Sequence, residues 1–185
     1  MNYYYRNTIS SFLQRSSDEI IGSITRANEF DVTFFQNKSW ELQIPILKNA
    51  LQDFQGEIFF EFSIPRMGKR VDTLVIINNI VFVVEFKVGE IHFLNSHIEQ
   101  VWDYALDLKN FHKTSHNVVL VPVLIATESK TSFTEIVLTS HNDNLTLPVK
   151  VNSQGLKEVI QNALCFFSDE PEINIPEYVD GGYMP

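Results

Sequence analysis

Asp72, Glu85 and Lys87 are the residues whose types and spacing could do chemistry. Glu85 and Lys87 are two apart in an apolar, β-branched run, so on a strand both point to one face. A second such run precedes it, and Asn78-Asn79 separates the two. That pattern predicts a hairpin, because Asn tolerates the positive φ of a tight turn. Symmetric pairing about the turn puts Asp72 opposite Glu85. Two carboxylates and an ammonium then meet at one end of a sheet. Burying them there is costly without a compensating charge such as a metal ion. An ion pair at a strand end is the alternative that the same spacing allows.

Carboxylate oxygens suit Mg²⁺ or Mn²⁺, which keep several waters. Phosphodiester hydrolysis uses such an ion to polarise the phosphate and to generate hydroxide. Asp72 and Glu85 would be the ligands, with the Phe86 carbonyl as a third oxygen. Lys87 would orient or deprotonate the attacking water. Gln100 and Tyr104, at i and i+4 on a following helix, share a face and could position that water or hold the lysine. They could also be ordinary boundary residues. Arg66, Lys69 and Arg70 crowd one turn that is either a phosphate contact or simply solvated. His112 and His116 have zinc-ligand spacing only on a helix, and the helical pattern is ending there.

The totals narrow the classes. A chain of 185 residues predicts one domain with appendages, and 44% hydrophobic residues suffice for a core. No apolar run is long enough to span a membrane, and the N-terminus has no signal-peptide pattern. The single Cys165 excludes an internal disulfide framework, which predicts a cytoplasmic protein. It lies in an apolar helical pattern and reads as core. The net charge of −9 argues against phosphate binding over a broad surface. Five of the 23 acids fall in residues 168–185, which hold no Lys or Arg; the rest of the chain carries −4.

These residues need elements to hold them. Short helices are expected at 7–15, capped by Asn7 or Thr8, and at 17–28, capped by Ser16 or Ser17. Residues 30–36 read as a short strand or loop. A helix follows over 40–54 on Trp40, Ile44, Leu47, Leu51 and Phe54, starting near Pro45 or kinked there. Strands are expected at 57–64, 70–77 and 80–87. Ser96-x-x-Glu99 reads as a capping box for a helix to Phe111. A strand over 117–126 is apolar throughout, and Pro122 suggests an edge or bulge. Shorter strands at 134–139 and 145–151 and a helix at 153–167 complete the pattern. Residues 168–185 read as an acidic linker or tail. The class is α/β with a mixed central sheet.

Asp72…Glu85-Phe86-Lys87, followed by Gln100-x-x-x-Tyr104, resembles the PD-(D/E)xK nuclease superfamily in its RecB-like branch. More narrowly, residues 60–66, 69–72, 84–90 and 100–112 resemble the N-terminal region of bacterial proteins that continue into a Schlafen-like P-loop helicase domain. The resemblance implies a restriction-endonuclease-like αβββαβ core with flanking helices, over residues 37–167 behind an N-terminal helical extension, 1–36. It implies a Mg²⁺- or Mn²⁺-dependent deoxyribonuclease, DNA as partner, and a helicase domain beyond this chain. Lys87, Gln100, Asp72 and Glu85 are then catalytic, and Arg66, Lys69, Arg70 and Tyr104 contact nucleic acid. The superfamily often adds an acidic residue on the first core helix. Glu41 is the candidate third metal ligand, with Gln43 as the alternative occupant, and Glu61 on the first strand could assist or merely neutralise Arg66 or Arg70. No Walker-type loop occurs, so no ATP binding is expected in this piece. The rival reading is a catalytically inactive module of the same fold that binds nucleic acid or regulates an attached ATPase.

Overall fold

The computed structural model describes residues 2–27 and 34–184. Its elements, in order, are β1 Tyr5–Thr8, α1 Ile9–Gln14, α2 Ser17–Ala27, α3 Phe34–Leu51, β2 Glu57–Ile64, β3 Lys69–Ile77 and β4 Ile80–Lys87. There follow α4 Asn95–Phe111, β5 Val119–Ala126, β6 Val149–Val151, α5 Leu156–Phe166 and α6 Ile175–Val179. The strands lie side by side in chain order. β1 to β4 are antiparallel neighbours, and β5 and β6 run parallel to β4. Such a parallel step needs a long crossover, which α4 supplies between β4 and β5. No helix among the described residues is long and apolar enough to cross a membrane.

Two buried layers follow from strand alternation. Phe82, Val84 and Phe86 of β4 face a core built with α1, α2, α3 and α5. Val81 and Val83 face the other way, toward Ala105 and Leu108 of α4 and Tyr178 and Val179 of α6. Glu85 and Lys87 continue that second series, so they point to the α4 side.

The β2–β3 ribbon changes faces midway. Phe60 and Val75 pack in the first core, whereas Phe62 and Val71 both pack in the second. The register stays constant across this point, with Phe60 opposite Thr73 and Phe62 opposite Val71. Glu61 and Asp72 are the residues between. Glu61 absorbs the turnover with φ at 54°, in the left-handed region. A non-glycine residue held there stores about 1–3 kcal/mol of strain, so the surrounding structure must hold it.

Several expectations are refined. Residues 5–8 form an edge strand ahead of a shorter first helix. Thr8 caps that helix through the Ser11 amide, and Ser16 holds the Glu19 amide before α2. Residues 28–33 lie outside the described residues, and with them 30–33 of the undecided stretch 30–36; 34–36 already belong to α3, which runs through Pro45. Gly56 ends the α3 connection where only glycine fits. A Cβ there would lie 2.0 Å from the Ile76 carbonyl oxygen.

The predicted capping box does not form. Leu94 occupies the α4 N-cap position and makes no side-chain cap bond. β5 is an interior strand, neither edge nor bulge. Leu120 bonds toward residues 144 and 146, so Pro122 also turns its missing N–H to that side. β6 pairing begins only at Val123–Val149, and the proline falls in the gap. Residues 134–139 are not a strand; Leu138 makes one isolated bridge to Thr146. Cys165 is exposed and not core.

The largest correction concerns residues 168–184. They do not trail away as a linker. α6 packs on the sheet, Tyr178 is buried, and Tyr183 bridges to His112. The acidic composition hid a few anchors, which are Ile173, Ile175, Tyr178 and Val179.

Candidate functional site

The β3–β4 hairpin delivers the central pair. Its register places Thr73 opposite Val84, and Asp72 opposite Glu85 is the next step. The ladder ends there, and the Asp72 side chain takes over its role: Oδ2 accepts the Phe86 amide at 3.1 Å. The Asp72 and Glu85 carboxyls come within hydrogen-bonding reach of each other. Lys87 Nζ lies 3.3 Å from Glu85 Oε1. Glu85 Oε2 is buried and has no hydrogen-bond partner among the described residues. Glu61 stands on the far side of Asp72, so three carboxylates form a row across β2, β3 and β4.

Their electrostatics follow from this crowding. Burial raises Glu85 to about 9, and the Asp72 charge adds to the rise while Lys87 opposes it. Burial also holds Asp72 above its ordinary value, against the Phe86 amide. Glu61 is pushed up to about 7 by burial and then by Asp72, with Arg70 and the Trp40 indole N–H pulling it down. Removing an axial carboxylate from water without a full complement of donors favours the proton or a cation in its place.

α4 closes the second side. Gln100 Nε2 donates to the Tyr104 hydroxyl at 2.9 Å. The Tyr104 hydroxyl is raised to about 12, by burial first and then by the charge of Glu85. The helix therefore presents its Gln100–Tyr104 pair to the carboxylate row. A shallow cleft of about 300 Å³ runs beside it, lined by Lys69, Gln100 and Tyr104 among others.

No family model, curated protein or solved structure matches the chain.

Asp72, Glu85, Lys87, Gln100 and Tyr104 are brought together. Glu41 is not: it is about half exposed on α3 and pairs with Lys38 at 3.5 Å. Gln43 is buried, but its Nε2 donates to Ser39 Oγ and its Oε1 has no partner among the described residues. The three bases diverge. Lys69 pairs with Asp107 at 3.0 Å, Arg66 lies over the Tyr183 ring, and Arg70 lies over Tyr4 while donating to the Glu61 carbonyl. His112 is buried and neutral, bonded through Nδ1 to Ser115 and not poised with His116.

Among the described residues no three His, Cys, Asp or Glu side chains are gathered as a metal cluster. Asp72 and Glu85 make a pair, and Glu85 Oε2 is buried without a hydrogen-bond partner among the described residues. That donor set fits a hard divalent ion that retains most of its waters. Trp40 was legible only as a core anchor. Its role as donor to Glu61 depends on the ribbon turnover, which strand periodicity does not signal.

Proposed function

We propose that this chain is a nuclease domain that hydrolyses DNA phosphodiester bonds with Mg²⁺ or Mn²⁺, on a restriction-endonuclease-like core. The supporting observation is the Asp72–Glu85 carboxyl pair at a sheet end, with Lys87 beside it and an unpartnered Glu85 oxygen. The order α3-β2-β3-β4-α4-β5 agrees with that fold.

Asp72 and Glu85 would hold the ion. When bound, it would supply Lewis acidity toward the phosphate and a more acidic water. Lys87 stabilises negative charge at the phosphate and, within reach of Glu85, keeps that carboxylate aimed. Gln100 fixes the Tyr104 hydroxyl, and the two narrow the approach from the α4 side. Glu61 adds negative charge behind Asp72, and Trp40 and Arg70 restrain it. A helicase domain following in a longer protein belongs to the same proposal.

A second reading, an inactive module that binds nucleic acid or regulates an attached ATPase, is favoured by one observation. Glu41 points to solvent, so α3 contributes no third carboxylate.

The test is cleavage of linear, circular, single- and double-stranded DNA with Mg²⁺ or Mn²⁺, beside Lys87→Ala and Asp72→Ala. Loss of a positioned acid–base or ligand group lowers the rate by about 10²–10⁴-fold. Equal activity in all three proteins would sink the proposal. DNA binding without cleavage would select the inactive module.

A further inference from the structure

We infer that the groove between β1 and α2 binds single-stranded polynucleotide and leads it toward Asp72 and Glu85. The direction of travel rests on the nuclease reading above; the binding does not. The groove measures about 510 Å³, and its walls include Tyr3, Tyr4, Arg6, Arg15, Ser23 and Arg26.

Charge argues first. The chain carries −9, yet this lining holds three guanidiniums against one carboxylate, Glu19. Arg6 is committed to Glu57 at 2.7 Å. Arg15 meets Glu19 only at 3.6 Å, with both side chains more than half exposed, so water screens the contact. Arg26 holds Ser23 Oγ at 3.3 Å and no carboxylate among the described residues. Among the described residues, two exposed cations are thus left for phosphate oxygens.

The aromatic walls argue second. Tyr3 leans edge-on against Phe59, and Tyr4 is half-buried under the Arg70 guanidinium, 4.1 Å from its ring centre. Tyr3 packs toward the second core and Tyr4 toward the first, so the two rings flank the β1 edge; a base can add to the Tyr4–Arg70 stack only when it is unstacked from its neighbours, and a duplex keeps its base faces covered.

Continuity argues third. Arg70, over Tyr4, donates to the Glu61 carbonyl at 3.1 Å, and Glu61 adjoins Asp72. One guanidinium therefore links the groove wall to the carboxylate row.

The experiment measures binding of a fluorescein-labelled 20-residue oligo-deoxythymidine, and of a 20-base-pair duplex, without divalent metal. The proteins are wild type, Arg15→Gln/Arg26→Gln, Tyr4→Ala and Glu41→Ala. The double variant should bind the single strand about tenfold more weakly. Its log–log salt slope should fall by about 1.4, roughly 0.7 for each lost phosphate contact. Tyr4→Ala should weaken binding at least fivefold by removing a stacking surface. Glu41→Ala, outside the groove, should bind like the wild type. Unchanged single-strand affinity in the groove variants, or equal wild-type affinity for the duplex, overturns the inference. If the groove variants lose binding while the wild type cleaves nothing with metal, the groove stands and the nuclease reading fails. If cleavage depends on Lys87 while the groove variants bind normally, the reverse holds.

Discussion

Two buried polar clusters sit on the α4 side of the same sheet, and they are built to opposite rules. One is Lys109, His112, Ser115 and Tyr178. Lys109 donates to the Val118 carbonyl, and His112, Ser115 and Tyr178 form a chain with two contacts of 2.7 Å. Each charge or hydroxyl there has a partner of complementary character. The one loose end among the described residues is His112 Nε2, on an uncharged ring. The other cluster is Glu61, Asp72, Glu85 and Lys87. It sets Asp72 and Glu85 against one ammonium, with Glu61 beyond them countered by Arg70, and leaves a carboxylate oxygen without a donor among the described residues. A satisfied network holds a structure together, whereas an unsatisfied like-charge cluster costs stability and persists where something else uses it. The first cluster clamps the C-terminal segment. The second is where the proposed chemistry would take place.

The clamp should give the largest effect on stability. Tyr178 is fully buried, T-stacked on His112 with ring centres 4.8 Å apart, and bonded to Ser115. Tyr178→Ala should lower the unfolding free energy by about 3–5 kcal/mol, read from urea denaturation. Residues 168–184 should then become sensitive to proteolysis. A loss under about 1 kcal/mol would mean that the segment is only laid against the sheet, and the comparison would break.

The carboxylate cluster should show the next effect, with the opposite sign. Glu61 and Glu85 are raised from 4.5, to about 7 and about 9. The folded state therefore holds protons that the unfolded chain has released, and stability falls as pH rises from about 4.5 through these values. The clamp runs the other way. His112 is lowered from 6.5 to about 4, so its contribution is present above 6.5 and lost as pH falls through 4. Lys109 is lowered from 10.5 to about 8, and its contribution is lost as pH falls through 8. Between pH 8 and 6.5 the carboxylates alone set the slope. Metal-free protein should gain about 1–2 kcal/mol on acidification across that window. Glu85→Gln should flatten the slope, exceed the wild type in stability at pH 8, and abolish cleavage. Added Mg²⁺ at pH 8 should stabilise the wild type and not the variant. Parallel pH curves for the two proteins would refute this account of the cluster.

Much of this was readable from residue order, for a physical reason. Hairpin symmetry about Asn78-Asn79 fixes register, because a one-residue slip would reverse every side chain of β3 or β4. That is why Asp72 meets Glu85 as the spacing implied, and why Gln100 and Tyr104 share a face. The turnover at Glu61 was hidden, since its cause is a single φ with no composition signal. The seating of α6 was hidden because four apolar anchors among acids look like solvated tail. The β1–α2 groove was equally silent. Tyr3-Tyr4-Tyr5-Arg6 reads as a terminal run until β1 pairs with β2 and sets it beside Arg15 and Arg26.

The smallest effect is the most discriminating for the candidate site. Glu41 was expected to bring a third carboxylate from the first core helix, yet its side chain is 52% exposed and meets Lys38 one turn away. An exposed i,i+3 pair contributes about 0.2–0.5 kcal/mol, so Glu41→Ala should leave stability within about 0.5 kcal/mol of wild type. If Asp72 and Glu85 hold the ion without help from α3, the same variant should also keep cleavage and its Mg²⁺ dependence within twofold. Trp40→Phe is the counterpart on the same helix. It keeps the aromatic bulk but removes the indole donor to Glu61, which frees that carboxyl to rise further. A shifted pH–rate profile in Trp40→Phe beside an unchanged Glu41→Ala would show that α3 acts on the carboxylate row through a hydrogen bond and not as a ligand. A tenfold loss in Glu41→Ala would instead require α3 to turn that side chain inward when metal and DNA bind.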